Sequence, residues 1–273
     1  MSVREFLRSV GLGLSLAFAF ACLIRAEDSV SQVRQIIAHR GSSADRPENT
    51  LASTRRAIEA KATAVEVDVR TTKDGELVLS HDATLERSTN GKGRVNDATL
   101  AEIRKLDAGS KFDPKFANER VPTLGEVLAI CKDRIDVLLD LKESSDVYDR
   151  KVMAEVLAEC DPKRIIVGVR SVEQARRFRE LLPSARQLGL IEKPDEIEAY
   201  AAAGVEMIRL WPKWLTDKSL VDRVRKTGAK LHLNGTTGTA EDIGPLLKYR
   251  PDSLSSDDPA KLIETLDSFR GNE

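Results

Sequence analysis

From Ile36 to the end of the chain, short apolar runs alternate with amphipathic stretches, and no other feature of the sequence constrains the fold as strongly. The runs Ile36 to His39, Ala64 to Val69, Ile135 to Leu141, Arg164 to Val169, Gln187 to Ile191, Glu206 to Leu210, Lys230 to Leu233 and Ser253 to Ser256 have the length and branching of strands. Helices are expected over Asn49 to Ala60, Ser171 to Leu182, Asp195 to Ala203, Thr216 to Thr227, Ala240 to Tyr249 and Pro259 to Phe269, several of them stopped by Pro183, Gly204, Gly228 or Pro251. Such alternation implies parallel strands with helical crossovers, and eight units in about 250 residues close an α/β (β/α)8 TIM barrel. A doubly wound open sheet is the other arrangement the pattern permits.

A ninth extended segment, Glu76 to Ser80, follows Val69 too closely for a helical crossover. A tight turn at Thr72 to Gly75 would fold it back on the second strand. Centred between Lys73 and Asp74, the simplest hairpin register sets His81 opposite Glu66. From Ala83 to Arg120 the periodicity weakens to one short helix, Leu100 to Leu106, and a polar loop, so the barrel is expected to carry a small insertion after the second strand region.

Arg4 and Arg8 precede an apolar run from about Val10 to Ile24, followed by Arg25-Ala26-Glu27-Asp28, the shape of a secretory signal peptide. The expectation is a leader over residues 1–26, cleavage near Ala26, export to the periplasm or medium, and one domain over residues 27–273. A membrane anchor and lipid attachment at Cys22 are the alternatives; the run is short for a span, and no stable span is expected after cleavage. Lys+Arg 43 against Asp+Glu 44 gives a formal net charge of -1, so no overall field recruits nucleic acid. Cys131 and Cys160 do not make a disulfide framework, and the sequence leaves open whether they pair.

Catalytic groups of a barrel come from the C-terminal ends of different strands. His39 ends the first strand, Glu66 and Asp68 share one face of the second, and Asp140 and Lys142 end the third. Three carboxylates with no cysteine beside them suit one hard divalent cation, Ca2+ or Mg2+. Arg40, Lys142 and the cation would form a positive pocket for phosphate, with His39 and His81 moving protons.

His39-Arg40-Gly41, Pro47-Glu48-Asn49-Thr50, Glu66-Val67-Asp68-Val69, Thr72-Lys73-Asp74-Gly75 and His81-Asp82 together resemble the glycerophosphodiester phosphodiesterase family, and the similarity continues through Val121-Pro122-Thr123-Leu124 and Asp140-Leu141-Lys142 to Ser256-Asp257-Asp258-Pro259. The resemblance implies a phosphatidylinositol-phospholipase-like barrel and a small glycerophosphodiester substrate cleaved to glycerol 3-phosphate and an alcohol. It makes His39 and His81 the acid/base pair, Glu66 and Asp68 metal ligands, and Arg40 a phosphate contact. The family's course runs through attack of a glycerol hydroxyl and a cyclic phosphate. Two positions depart from its pattern: Asp140 stands where glutamate is usual, and Leu231-His232-Leu233-Asn234 replaces a Trp-Thr-Val-Asn run. His232 is therefore expected at the substrate pocket's wall, with Trp211 as a second wall residue. A phospholipase D-like activity on lysolipids or sphingolipids and a non-catalytic phosphodiester-binding barrel are the competing functions.

Overall fold

A computed structural model of the chain describes residue 30 and residues 32–271; the leader expected over residues 1–26, with Cys22, lies outside the described residues. Nine strands form one sheet: β1 (Gln35–Ala38), β2 (Ala64–Thr71), β3 (Leu77–Leu79), β4 (Asp136–Leu141), β5 (Ile165–Val169), β6 (Arg186–Gly189), β7 (Met207–Leu210), β8 (Lys230–Asn234) and β9 (Ser253–Ser256). Their order is β1-β9-β8-β7-β6-β5-β4-β2-β3, and β1 also pairs with β2, so eight parallel strands close a ring with β3 outside it. The expected barrel is what forms.

Helices follow the strands: α1 (Leu51–Glu59), α2 (Leu100–Ile103), α3 (Leu124–Cys131), α4 (Asp146–Glu159), α5 (Val172–Leu181), α6 (Ile197–Ala202), α7 (Ser219–Lys226), α8 (Ala240–Leu247) and α9 (Pro259–Gly271). Periodicity did not foresee α3 or α4. The signal for α3 is local, a capping box in which Thr123 accepts from the Glu126 amide and Glu126 accepts from the Thr123 amide. In α4, Val147 and Leu157 point outward while Tyr148, Val152 and Val156 are buried, so apolar residues occur on both faces and blur the stripe.

Strand parity sorts the core. Val65, Val67 and Val69 of β2, with Val137, Leu139 and Leu141 of β4, pack outward against the helices. Alternate residues point into the barrel, where Ile37, Ala64, Leu138, Ile166, Leu188, Leu190 and Met207 form an apolar plug. One step further along the same inward rows come Glu66, Asp140, Arg209 and His232, all buried, and then Asp68. A polar layer thus sits on an apolar floor at the C-terminal end of the strands.

The hairpin register differs from the expected one by a single residue. Val69 faces Leu79 and Thr71 faces Leu77, and the Ser80 amide bonds the Asp68 carbonyl (3.0 Å), so His81 lies past the pairing rather than opposite Glu66. The turn has three central residues instead of two, closed by the Gly75 amide on Thr72 O, with Gly75 at φ +82°. Only a residue tolerant of left-handed backbone closes this loop without strain. The insertion that follows has its own small core, with Val78, Leu85, Val95, Ile103, Ala108 and Val121 all buried. A paired contact of Arg104 with Glu126 (2.6 and 2.7 Å) ties it to α3.

Candidate active site

The loop from β1 to α1 supplies the first half of the site. Arg40 and Asn49 both adopt φ near +55°, a conformation uncommon outside glycine, and the Asn49 amide bonds the Arg40 carbonyl (3.0 Å). Gly41 between them has φ +81°, and a Cβ there would lie 2.4 Å from Ser53 Oγ, so the loop is seated directly on the first turn of α1. That turn is capped by Thr50 and Ser53. The effect of this folding is to aim the Arg40 amide at Glu66 Oε2 (2.7 Å) and the Asn49 amide group at Asp68 Oδ2 (2.7 Å).

Glu66, Asp68 and Asp140 meet with one carboxylate oxygen each within 4.8 Å of the others, and all three are buried. Lys142 Nζ lies 2.7 Å from Asp68 Oδ1 and 2.6 Å from Asp140 Oδ2, while Arg170 Nη2 lies 2.6 Å from Asp140 Oδ1. Burial alone would raise Asp140's pKa, but the charges and hydrogen bonds of Lys142 and Arg170 hold it below the usual carboxylate range. Glu66 has no such partner among the described residues. Burial, and then the Asp68 charge, push its pKa up to about 8. An oxygen-only set of three carboxylates, one of them short of positive charge, fits a hard divalent cation, and Asp68 Oδ1, though in ion contact with Lys142, has no hydrogen-bond partner of its own. The shorter Asp140 side chain reaches the cluster without help, because β2 and β4 pair Asp68 directly with Asp140.

Both flanking histidines are backed by carboxylates. His39 directs Nδ1 at Asp257 Oδ1 (2.7 Å), and Ser43 Oγ donates to that oxygen (3.1 Å) and to the His39 carbonyl (2.8 Å). Burial disfavours the imidazolium, yet the Asp257 hydrogen bond and the Glu66 and Asp257 charges outweigh it and raise the pKa of His39 above the ordinary histidine value. His81 directs Nδ1 at Asp82 Oδ1 (2.7 Å), and Arg70 grips its carbonyl (2.8 Å). Asp82 in turn binds Arg87 Nε (2.5 Å), whose hydrogen bond is the chief cause of an Asp82 pKa near 2. Arg87 also clasps both oxygens of Glu48 (2.7 and 2.8 Å), and Glu48 reaches Arg40 Nη1 (3.2 Å). A continuous ionic chain therefore joins His81 to Arg40.

Across the barrel, Arg209 stacks on Trp211 with its guanidinium carbon 3.9 Å from the ring centroid. His232 is 2% exposed, with Nδ1 2.9 Å from Ser253 Oγ, and burial reinforced by Arg209 lowers its pKa to about 3. His232, expected at the substrate pocket's wall, points into the interior beside Arg209, because β8 parity turns it inward at mid-strand. Trp211, half-buried just past β7, stays at the rim. Sequence reasoning missed Arg170 and Arg209, although the rule that placed Lys142, a strand's C-terminal end in a barrel, applies to both. Cys131 and Cys160 are both free thiols. Among the described residues no helix is long and apolar enough to cross a membrane.

Residues 39–261 match the glycerophosphoryl diester phosphodiesterase family. A glycerophosphodiester phosphodiesterase of Caldanaerobacter subterraneus is 37% identical over 235 residues, covering 84% of this chain and 96% of that protein. The crystal structure of a glycerophosphodiester phosphodiesterase from Agrobacterium tumefaciens superposes with a TM-score of 0.73 at 27% identity, over 84% of this chain and 99% of that one. A phosphodiesterase from Oleispira antarctica, solved in complex with the product sn-glycerol-3-phosphate, has the same fold, with a TM-score of 0.75 at 24% identity over 88% of this chain and 99% of that one.

Proposed function

Since the chain belongs to the glycerophosphoryl diester phosphodiesterase family and is a phosphoric diester hydrolase, we propose that it cleaves glycerophosphodiesters to glycerol 3-phosphate and an alcohol with one divalent cation, Ca2+ or Mg2+, and the pair His39 and His81. The observation that carries this reading is the buried cluster of Glu66, Asp68 and Asp140 at the same barrel rim as two carboxylate-backed histidines.

In this reading Glu66, Asp68 and Asp140 hold the cation, which when bound neutralises charge on the phosphate oxygens. Arg40 and Lys142 bind the phosphate from two sides. Asp82 fixes the His81 tautomer so that Nε2 takes the proton of the attacking hydroxyl, and His39, kept protonated by Asp257, gives its proton to the departing alcohol. The same two groups with roles exchanged would let water open a cyclic phosphate. Trp211 walls the glycerol, over the His232 floor. Residues 1–26 act as the export leader and residues 27–273 as the working domain.

Glycerol 3-phosphate release from glycerophosphocholine by residues 27–273, assayed with EDTA, Ca2+ and Mg2+ in parallel, tests the reading. Release abolished by EDTA and restored by a metal supports it. No release from folded protein overturns it, and turnover of lysophosphatidylcholine alone would support the lipid-directed reading, for which only the exposed Phe112, paired with Phe116 on the insertion, speaks.

A further inference from the structure

Between the barrel rim and the insertion lies a second cleft, of about 350 Å³, lined by Arg70 and Thr71 at the end of β2, Lys142 and Glu143 just past β4, and Ala83, Arg94, Val95 and Asn96 of the insertion. It shares Lys142 with the carboxylate cluster, so the two places adjoin. In strand order β2 and β4 stand opposite β7 and β8, which places the cleft across the barrel from Trp211. If the glycerol half lies against Trp211, the alcohol half faces this cleft.

Of the cleft's three cations, Lys142 is paired with Asp68 and Asp140, but the two arginines are not matched by anions. Arg40, Arg87 and Arg170 each have a carboxylate within 3.2 Å. Arg70 and Arg94 have none within ion-pair distance among the described residues: Arg70 spends Nε and Nη2 on the His81 carbonyl, and Arg94 spends Nε on the Asn96 side chain (3.2 Å). Glu143, the one carboxylate of the lining, accepts from the Thr71 amide (2.9 Å). Two guanidinium groups with unused N–H edges, in a chain of net charge -1, form a local anion site.

Resting on the proposed phosphodiesterase activity, we propose that this cleft binds a phosphate carried by the alcohol half, so that the preferred glycerophosphodiesters are those whose alcohol bears a second phosphate group. Arg94 is the specificity-determining residue and Arg70 its partner.

A matched pair tests this: glycerophosphoinositol and glycerophosphoinositol 4-phosphate differ only in the group the cleft is said to hold. For the wild-type protein kcat/KM should favour the phosphorylated substrate about tenfold, the effect of one added charge-assisted contact, and the preference should shrink as salt is raised. Arg94→Glu should bring the two substrates to parity while keeping glycerophosphoinositol within about twofold of wild type. Parity in the wild type, or an unchanged ratio in Arg94→Glu, overturns the proposal while leaving the phosphodiesterase reading standing, provided that glycerophosphocholine is still cleaved. Failure to cleave any of the three overturns both.

Discussion

Replacing Asp257 by asparagine keeps the shape behind His39 and removes the charge. Asp257 Oδ1 lies 2.7 Å from His39 Nδ1, a charge-assisted hydrogen bond when the ring is protonated. Such bonds contribute about 1.5–3 kcal/mol against about 0.5–1.5 for neutral ones. The difference, about 1–2 kcal/mol, is felt mainly by the imidazolium and corresponds to roughly 5- to 30-fold in rate. The direction of the pH effect follows from the raised pKa of His39. If His39 is the proton donor it works below its pKa, so the alkaline limb of kcat/KM should lie above the ordinary histidine value in the wild type and move to lower pH in Asp257→Asn. The loss should therefore be largest near pH 8 and smallest near pH 6. A kcat/KM profile from pH 5 to 9, with an NMR titration of His39 in the same variant, measures both. A loss uniform across pH with His39 titrating unchanged would refute the assignment of Asp257 as the group that positions and charges His39, as would no loss at all.

Three further outcomes are expected. The pKa of Glu66, raised to about 8 against about 4.5 unfolded, makes its neutral form the stable one in the metal-free fold; stability is full below the unfolded value and declines as pH rises toward 8. The melting temperature in EDTA should thus fall between pH 5 and 9 while Ca2+ or Mg2+ restores it, and a metal effect of equal size at every pH would contradict this. Asp140→Ala removes a proposed ligand and should raise the metal concentration for half-maximal activity at least about tenfold; an unchanged titration removes Asp140 from the metal site. Gly41→Ala sets a Cβ 2.4 Å from Ser53 Oγ at φ +81° and should cost about 1–3 kcal/mol, read as a lower urea midpoint, with activity falling because the Arg40 amide no longer meets Glu66.

The residues of the site were legible because the barrel turns sequence into geometry by parity alone. Glu66 and Asp68 alternate with Val65, Val67 and Val69, so once Val67 is outward both carboxylates are inward, and parallel pairing of β2 with β4 then brings Asp140 to Asp68. Such periodic signals survive without knowledge of the turns. Where the turn decided, the reading slipped: counting a two-residue hairpin at Lys73 and Asp74 moved His81 one place, since the left-handed Gly75 adds a third central residue. Partnerships between distant loops left no periodic trace. Asp257 lies in the Ser256-Asp257-Asp258-Pro259 motif, but its bond to His39, 218 residues away, depends on β9 closing the ring against β1. Arg170 and Arg209 were readable in principle from strand ends, yet a lone arginine after an apolar run looks like any exposed strand terminus.

Pairing of β2, β4 and β5 accounts for the charge balance of the interior. Lys142 serves Asp68 and Asp140, and Arg170 serves Asp140 again, so two of the three carboxylates have a cationic side chain in contact. Glu66 receives the Arg40 backbone N–H instead of a cationic side chain. The nearby guanidinium is aimed elsewhere, with Nη1 on Glu48 and Nε 3.5 Å from Asp68. One position of the cluster is left short of a positive charge by the same strained β1–α1 loop that carries Arg40. In the proposed reading a divalent cation would complete Glu66, whose raised pKa means that metal uptake near neutral pH should release protons to the medium. Uptake without proton release, followed with a pH indicator in weak buffer, would mean that Glu66 is already ionised and that the loop's neglect of it carries no functional weight.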